Sequence, residues 1–194
     1  MSSTLTVYAI SFERLQRVPG SRDRALVEAV GAELGNFLAR IDGLGDGEQD
    51  IPSCHEAVAQ IVEGAPLAPH LGYLYGYALE AICIRLGQDL PEISGICGVS
   101  AWVDEVDAIL ISQGVPVGLT DLIFGSYPVE IPRPDDYPFI GSWPPRVICE
   151  ALRASRGVAL AGMNPEMADT VGQVRVWLEA AAVDAAYGLI GFLS

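Results

Sequence analysis

The chain contains no lysine, so its eleven basic residues are all arginines. Set against 25 carboxylates, they leave a formal net charge of −14 and a sequence pI of about 4.3. A surface this acidic repels the phosphate backbone of nucleic acids and the headgroups of anionic lipids. We therefore expect neither a nucleic-acid partner nor a membrane partner.

Short motifs with known chemistry are also missing. The cysteines Cys54, Cys83, Cys97 and Cys149 are widely spaced and form no Cys-x-x-Cys pair, which argues against a zinc site and a thioredoxin-like redox site. The chain has no P-loop and no G-x-G-x-x-G, G-x-S-x-G or H-E-x-x-H pattern. We predict no metal and no cofactor, while enzymatic activity stays open.

Targeting signals are not evident either. Residues 1–14 have neither a basic region nor a long apolar region, so they do not resemble a signal peptide. Residues 71–86 are very apolar, but they are fewer than the roughly 20 that a membrane span needs, and they include Glu80 and Arg85. These features predict a cytoplasmic protein.

One acidic stretch imitates a calcium loop. Residues 42–53 place Asp42, Asp46 and Asp50 at the first, fifth and ninth positions of an EF-hand pattern. The pattern fails because Leu44 and Ser53 occupy positions that need an oxygen ligand and a bidentate glutamate. We interpret the stretch as a solvated acidic turn.

The hydrophobic fraction of 51 % and the charged fraction of 19 % predict a folded chain with a sizeable core. Apolar spacing and capping residues predict strands at 4–12 and 189–193, and leave 119–124 open between helix and strand. The predicted helices are 21–40, 54–63 (with a capping box of Ser53 and Glu56), 69–87, one from about 100 to 114, 146–153, and one that opens at Asn164 and Pro165. Six prolines make 126–145 an extended connection. The predicted fold is α+β: a single, mostly helical domain over 1–194, with a small sheet that includes the N-terminal and C-terminal strands.

Several stretches resemble an uncharacterised family of actinobacterial proteins, a domain of unknown function. They are the N-terminal strand, SRDRALVEAV, GYALE (76–80), PRPDDYPFIGSW (132–143) and the WLEAAA…GLIGFLS ending. The layout, with one strand first and another after the final helix, is also distantly similar to that of YfbM-like proteins. The resemblance covers essentially the whole chain and implies a fold, but it carries no catalytic residue.

The best candidates for chemistry lie on the predicted helix 69–87. His70, Tyr73, Tyr77 and Glu80 are three or four residues apart and therefore share one face. An acid among apolar neighbours has a raised pKa unless it is paired, and that is how general acids and bases arise. The alternative is structural: Glu80 pairs with an arginine while the tyrosines pack. We favour it, because a rise of 1.5 Å per residue separates His70 from Glu80 by roughly 15 Å.

The proline-rich segment 126–145 supplies a second set of candidates. Arg133, Asp135, Asp136 and Trp143 could line a ligand pocket, since ordered loops often carry function. The alternative is a lid over the core, with buried aromatic rings and solvated acids.

Two classes of function are consistent with these patterns. The first is a non-catalytic acidic interaction protein, for example an immunity-type partner that neutralises a basic protein, because exposed carboxylates steer such a partner. The second is an enzyme or small-molecule binder with a pocket between helix 69–87 and segment 126–145. The location of the carboxylates distinguishes the two: a shared surface favours the first, and a cleft that joins Glu80, Asp135 and Asp136 to a tyrosine favours the second.

Overall fold

The computed structural model describes residues 2–44 and 51–194, so the middle of the acidic stretch 42–53 lies outside the described residues. The strands are β1 (Ser3–Ser11), β2 (Gln88–Ile96), β3 (Phe139–Trp143) and β4 (Tyr187–Leu193). The helices are α1 (Phe12–Gln16), α2 (Arg24–Glu33), α3 (Gly35–Asp42), α4 (Cys54–Glu63), α5 (Gly72–Leu86), α6 (Val99–Ser112), α7 (Leu119–Phe124), α8 (Pro145–Ser155) and α9 (Pro165–Ala181). This mixture of helices and one small sheet confirms the predicted α+β class.

The chain divides into two compact units. The sheet unit comprises Met1–Phe12, Gln88–Pro128 and Phe139–Ser194, and the helical unit comprises Glu13–Gly87 and Val129–Pro138. The expectation of a single globular domain over 1–194 stays a prediction.

The sheet of the first unit is antiparallel, with the strand order β2-β1-β4-β3. β1 pairs with β4 in one continuous register from Leu5 opposite Leu193 to Ser11 opposite Tyr187. Both terminal strands are therefore central strands, which satisfies their backbone groups on both sides. The prediction that the sheet includes both ends of the chain is confirmed.

Helices α6 to α9 supply the other layer of the sheet unit. Alternate β1 residues, Leu5, Val7 and Ala9, are fully buried in one apolar cluster with side chains from these helices. Trp177 of α9 is fully buried there, and its indole nitrogen donates to the Pro91 carbonyl oxygen of β2 at 2.8 Å. This bond ties α9 to the edge of the sheet.

Segment 126–145 is not the purely extended connection that we expected. Its last part, β3, is a strand, which follows Pro138 and pairs only with β4 at the edge of the sheet. An edge strand tolerates nearby proline because one side of its backbone needs no ladder bond. The same reasoning applies to β2, which we did not predict and which contains Pro91.

Two helix predictions need correction, and one open alternative is resolved. The predicted helix 21–40 is two helices, since the backbone leaves helical geometry at Leu34 before Gly35, and its N-cap is Asp23 rather than Ser21. Helix 69–87 begins as a 3₁₀ turn (Pro69–Leu71), so α5 itself starts at Gly72. The open stretch 119–124 is the helix α7. By contrast, the capping box of Ser53 and Glu56 at α4 is confirmed.

Candidate functional site

Glu80 lies on α5, a helix that is buried on nearly all sides, as the apolar residues around it in the sequence predict. α5 buries eleven of its fifteen residues, and Glu80 is only 7 % exposed. Tyr77, one turn earlier on the same helix, is 8 % exposed. The predicted pair of a carboxyl group and a phenol is therefore held inside the helical unit.

The surroundings of Tyr77 show which charged groups converge there. Burial raises the pKa of Tyr77, the carboxylates of Glu80 and Asp136 raise it further, and the Arg40 guanidinium acts in the opposite direction. The structure thus brings two of the predicted acids near one predicted tyrosine, together with an arginine from α3. A tyrosine with a raised pKa keeps its proton at neutral pH, so it can donate a hydrogen bond but does not serve as a phenolate base.

The Glu80 carboxylate also raises the pKa values of two buried thiols. Burial raises the pKa of Cys54 to about 12, with smaller contributions from Asp42 and Glu80. Burial raises the pKa of Cys83 well above its usual value, and Glu80 adds to the effect. Because the thiolate is the nucleophilic form, both cysteines are inert at neutral pH. The spacing of residues along the chain did not predict this buried cluster of Glu80, Tyr77, Cys54 and Cys83. Its members and the charged groups beside them come from three helices, α3, α4 and α5.

The remaining predicted residues of helix 69–87 lie further out. His70 is exposed in the 3₁₀ turn before α5, and Tyr73 is half-buried in the first turn of α5. Tyr75, which we did not single out, is nearly fully buried; its hydroxyl donates to Gln60 Oε1 at 2.7 Å and accepts from the Ala68 amide at 3.2 Å. His70 therefore does not continue the buried stripe formed by Tyr77 and Glu80.

The proline-rich segment contacts the start of α5 through its backbone. A Cβ atom added to Gly72 would lie within 2.8 Å of the Pro134 nitrogen and closer still to the Arg133 carbonyl oxygen. The side chains of Arg133, Asp135 and Asp136 are exposed. Glycine is thus required at position 72.

Trp143 is separated from the other three candidates of its set. It belongs to β3 in the sheet unit, where it is fully buried and its indole nitrogen donates to the Gly118 carbonyl oxygen at 2.9 Å. Its ring is part of the apolar core, whereas Arg133 and the two aspartates belong to the helical unit.

A groove of about 560 Å³ lies elsewhere in the helical unit, between the start of α2 and the end of α4. Arg22, Arg24, Glu28 and Glu63 all line it, so its charges balance. Arg22 has a left-handed backbone (φ 59°), and its amide donates to the Val62 carbonyl oxygen at 2.9 Å. None of the predicted site residues lines this groove.

Over residues 2–44 and 51–194, no group of three or more histidine, cysteine or acidic side chains is arranged to hold a metal ion. Across the same residues, no helix combines the length and the apolar character needed to cross a membrane.

Fold and site together define a small α+β protein with an acidic surface and a buried cluster of a carboxyl, a phenol and thiols. The chain belongs to the family described as Domain of unknown function (DUF7691), whose model matches residues 1–194. No curated protein and no solved structure matches it.

Proposed function

We propose that the protein is a non-catalytic acidic interaction protein that binds a basic protein and neutralises it, in the manner of an immunity protein. The observation that carries the proposal is the distribution of charge in the sheet unit. Of its eleven carboxylates, all but Asp107 are exposed, while it holds only four arginines. Exposed charge of one sign raises the association rate of a partner with the opposite charge.

The few arginines of the sheet unit do not offset this field. All of them fall within residues 146–175. Arg156 pairs with Glu179 at 3.6 Å, and Arg175 donates to the carbonyl oxygens of Ser155 and Val158. Strand β2 and helices α6 and α7 therefore carry carboxylates with no arginine among them.

The buried cluster supports a non-catalytic role as well. Cys54 and Cys83 keep their protons because their pKa values are raised, and Tyr77 keeps its proton for the same reason. Groups in these states are poor nucleophiles and poor bases at neutral pH. All four cysteines are free, which is consistent with the proposed cytoplasmic location.

One observation favours the second candidate, an enzyme or small-molecule binder. Glu80 and Asp136 both act on Tyr77, so part of helix 69–87 and part of segment 126–145 converge within the helical unit. Arg40 adds a cation to this group. Such a set could hold a polar ligand in place, and Tyr77 could donate a hydrogen bond to it.

An actinobacterial origin and a distant similarity to YfbM-like proteins remain part of the proposal. The sequence stretches that carry the resemblance support the origin. The arrangement of β1 and β4 as the first and last described elements supports the similarity.

The proposal is tested by recovering the partner from the native host and then reconstituting the pair. Each protein that is retained and identified by mass spectrometry is produced alone, and its association rate is measured between low and high salt. We expect a basic protein whose association rate falls about tenfold or more with added salt and whose own activity is lost at equimolar mixing.

Two variants of α6, one that removes charge and one that leaves it unchanged, make this test specific. Asp104→Asn with Glu105→Gln removes two exposed charges from α6, and Gln113→Ala at the end of the same helix removes none. The first variant should slow association and the second should not. Association that is insensitive to salt and to the charge variant, or turnover of a substrate by the chain itself, contradicts the proposal.

A further inference from the structure

The groove between the start of α2 and the end of α4 has no part in the proposed function. Its volume of about 560 Å³ lies within the range of pockets that hold small organic ligands. Small residues leave this space open: Ala59 of α4 lines the groove, and so do Gly64 and Ala65 just after that helix. Half-buried Val27 of α2 and buried Val62 of α4 complete an apolar lining.

Backbone contacts fix the end of the groove where α4 stops and α2 begins. The Gly20 amide donates to the Ile61 carbonyl oxygen at 3.1 Å, and the Arg22 amide donates to the Val62 carbonyl oxygen at 2.9 Å. A Cβ atom added to Gly64 would lie 2.9 Å from the Gly20 Cα atom, so the two chain segments are in direct contact. The groove is therefore a preformed feature of the helical unit.

Arg22 lies in this fixed segment with an unfavourable backbone conformation. Among the described residues it is the one non-glycine residue with a positive φ, at 59°. A side chain makes the left-handed region costly, whereas glycine enters it freely. Such strain is found at binding sites, where the surrounding structure holds a side chain in the place that a ligand requires. This observation points to a role for the guanidinium group of Arg22 in the groove.

The charged lining of the groove has both signs. Arg22, Arg24, Glu28 and Glu63 all line it with exposed side chains. In the part of the chain that the structure describes, none of the four forms an ion pair, although Arg24 and Glu28 are one turn apart on α2. A ligand with a single charge satisfies only one of the two signs. A ligand that carries both an anionic and a cationic group satisfies both.

We propose that this groove binds a small zwitterion with an apolar body, such as a dipeptide of apolar residues. The carboxylate of the ligand pairs with Arg22 and Arg24, because planar guanidinium groups bind carboxylates through two parallel hydrogen bonds. The ammonium group of the ligand lies toward Glu28 and Glu63. The apolar body covers Val27 and the small residues of the lining, which removes apolar surface from water. This site is separate from the acidic surface of the sheet unit, and neither proposal requires the other.

The test uses the whole protein and three probes: leucyl-leucine, N-acetyl-leucyl-leucine and leucyl-leucine amide. Acetylation removes the ammonium charge, and amidation removes the carboxylate. Each probe is titrated while the methyl signals of Val27, Ala59 and Val62 are followed by NMR. We expect saturable binding of leucyl-leucine at these signals, and binding of either blocked probe that is about tenfold weaker.

Three variants separate the groove from the general field of the protein. Ala59→Leu fills the groove without a change in charge and should weaken leucyl-leucine more than about tenfold. Arg22→Gly should weaken it about tenfold without a lower unfolding temperature, because glycine adopts the left-handed conformation freely. Arg153→Gln removes the same charge from an exposed position of α8 in the sheet unit and should change the affinity less than about twofold.

Several results would overturn the inference. They are the absence of saturable leucyl-leucine binding, equal affinities for the three probes, and signal changes confined to residues outside the groove. Affinity that is unchanged in both Ala59→Leu and Arg22→Gly would overturn it as well. Thermal unfolding verifies that the variants fold, and if one does not, the three probes on the unaltered protein decide the question.

Discussion

Replacing Trp177 by alanine should remove much of the stability of the sheet unit. The side chain is fully buried at the centre of α9, among the core residues of β1, β4 and the neighbouring helices. A buried tryptophan removes about 150–250 Å² from water, which at about 25 cal/mol per Å² corresponds to roughly 4–6 kcal/mol. The alanine side chain still buries a small part of this area, whereas the cavity left by the indole adds a cost. Truncations of this kind therefore lower the free energy of unfolding by about 3–5 kcal/mol.

The indole nitrogen adds a separate contribution. It donates to the Pro91 carbonyl oxygen at 2.8 Å, and a typical hydrogen bond contributes about 1 kcal/mol. Trp177→Phe keeps a large ring and loses this bond, so it should cost about 1–2 kcal/mol. The two variants therefore separate packing from hydrogen bonding.

Urea denaturation followed by circular dichroism measures both losses. The total free energy of unfolding of a domain is about 5–15 kcal/mol. The alanine variant should therefore have a far lower urea midpoint or fail to fold. A midpoint that barely moves would mean that the apolar stripe of α9 is not part of the core. Equal losses for the alanine and phenylalanine variants would refute the assignment of most of the energy to packing.

Four further outcomes are expected. Gly72→Ala should lower the free energy of unfolding by about 1–3 kcal/mol despite the better helix propensity of alanine, because its Cβ would strike the proline-rich segment; an unchanged free energy of unfolding refutes that contact. Asp107→Ala should cost about 2–4 kcal/mol by leaving the first two amides of α7 without their acceptor, and Asp107→Asn should cost less. Native Cys54 should resist alkylation at pH 8, where exposed Cys97 reacts. Above about pH 9 the Cys54 thiol ionises in the unfolded chain but keeps its proton in the folded protein, so the free energy of unfolding should fall as the pH rises above 9. Glu80→Gln should lower the midpoint and leave partner affinity unchanged, whereas an equally stable variant that loses a measurable activity by at least ~10²-fold would make the helical unit a catalytic site.

Local signals in the sequence predicted the elements whose causes are local. The capping box of Ser53 and Glu56 marked the start of α4, and the pair Asn164 and Pro165 marked the start of α9. Strand β2 was not predictable in this way. It contains Pro91 and the charged residues Asp89 and Glu92, so only its pairing with β1, from Ala9 opposite Gln88 to Ser3 opposite Ile96, makes it a strand.

The sites follow the same distinction between local and distant causes. Glu80 could be singled out because it is the only acid in an apolar helix, and that helix is indeed buried. Asp136 was a candidate in the alternative with a shared pocket, and it does act on Tyr77. Arg40 and Cys54 could not be predicted, since they come from α3 and α4. A periodic pattern indicates the environment of one helix or strand, whereas a binding site is formed by several of them. Composition therefore predicted the sign of the net charge, but only the fold determines where the charged side chains are concentrated.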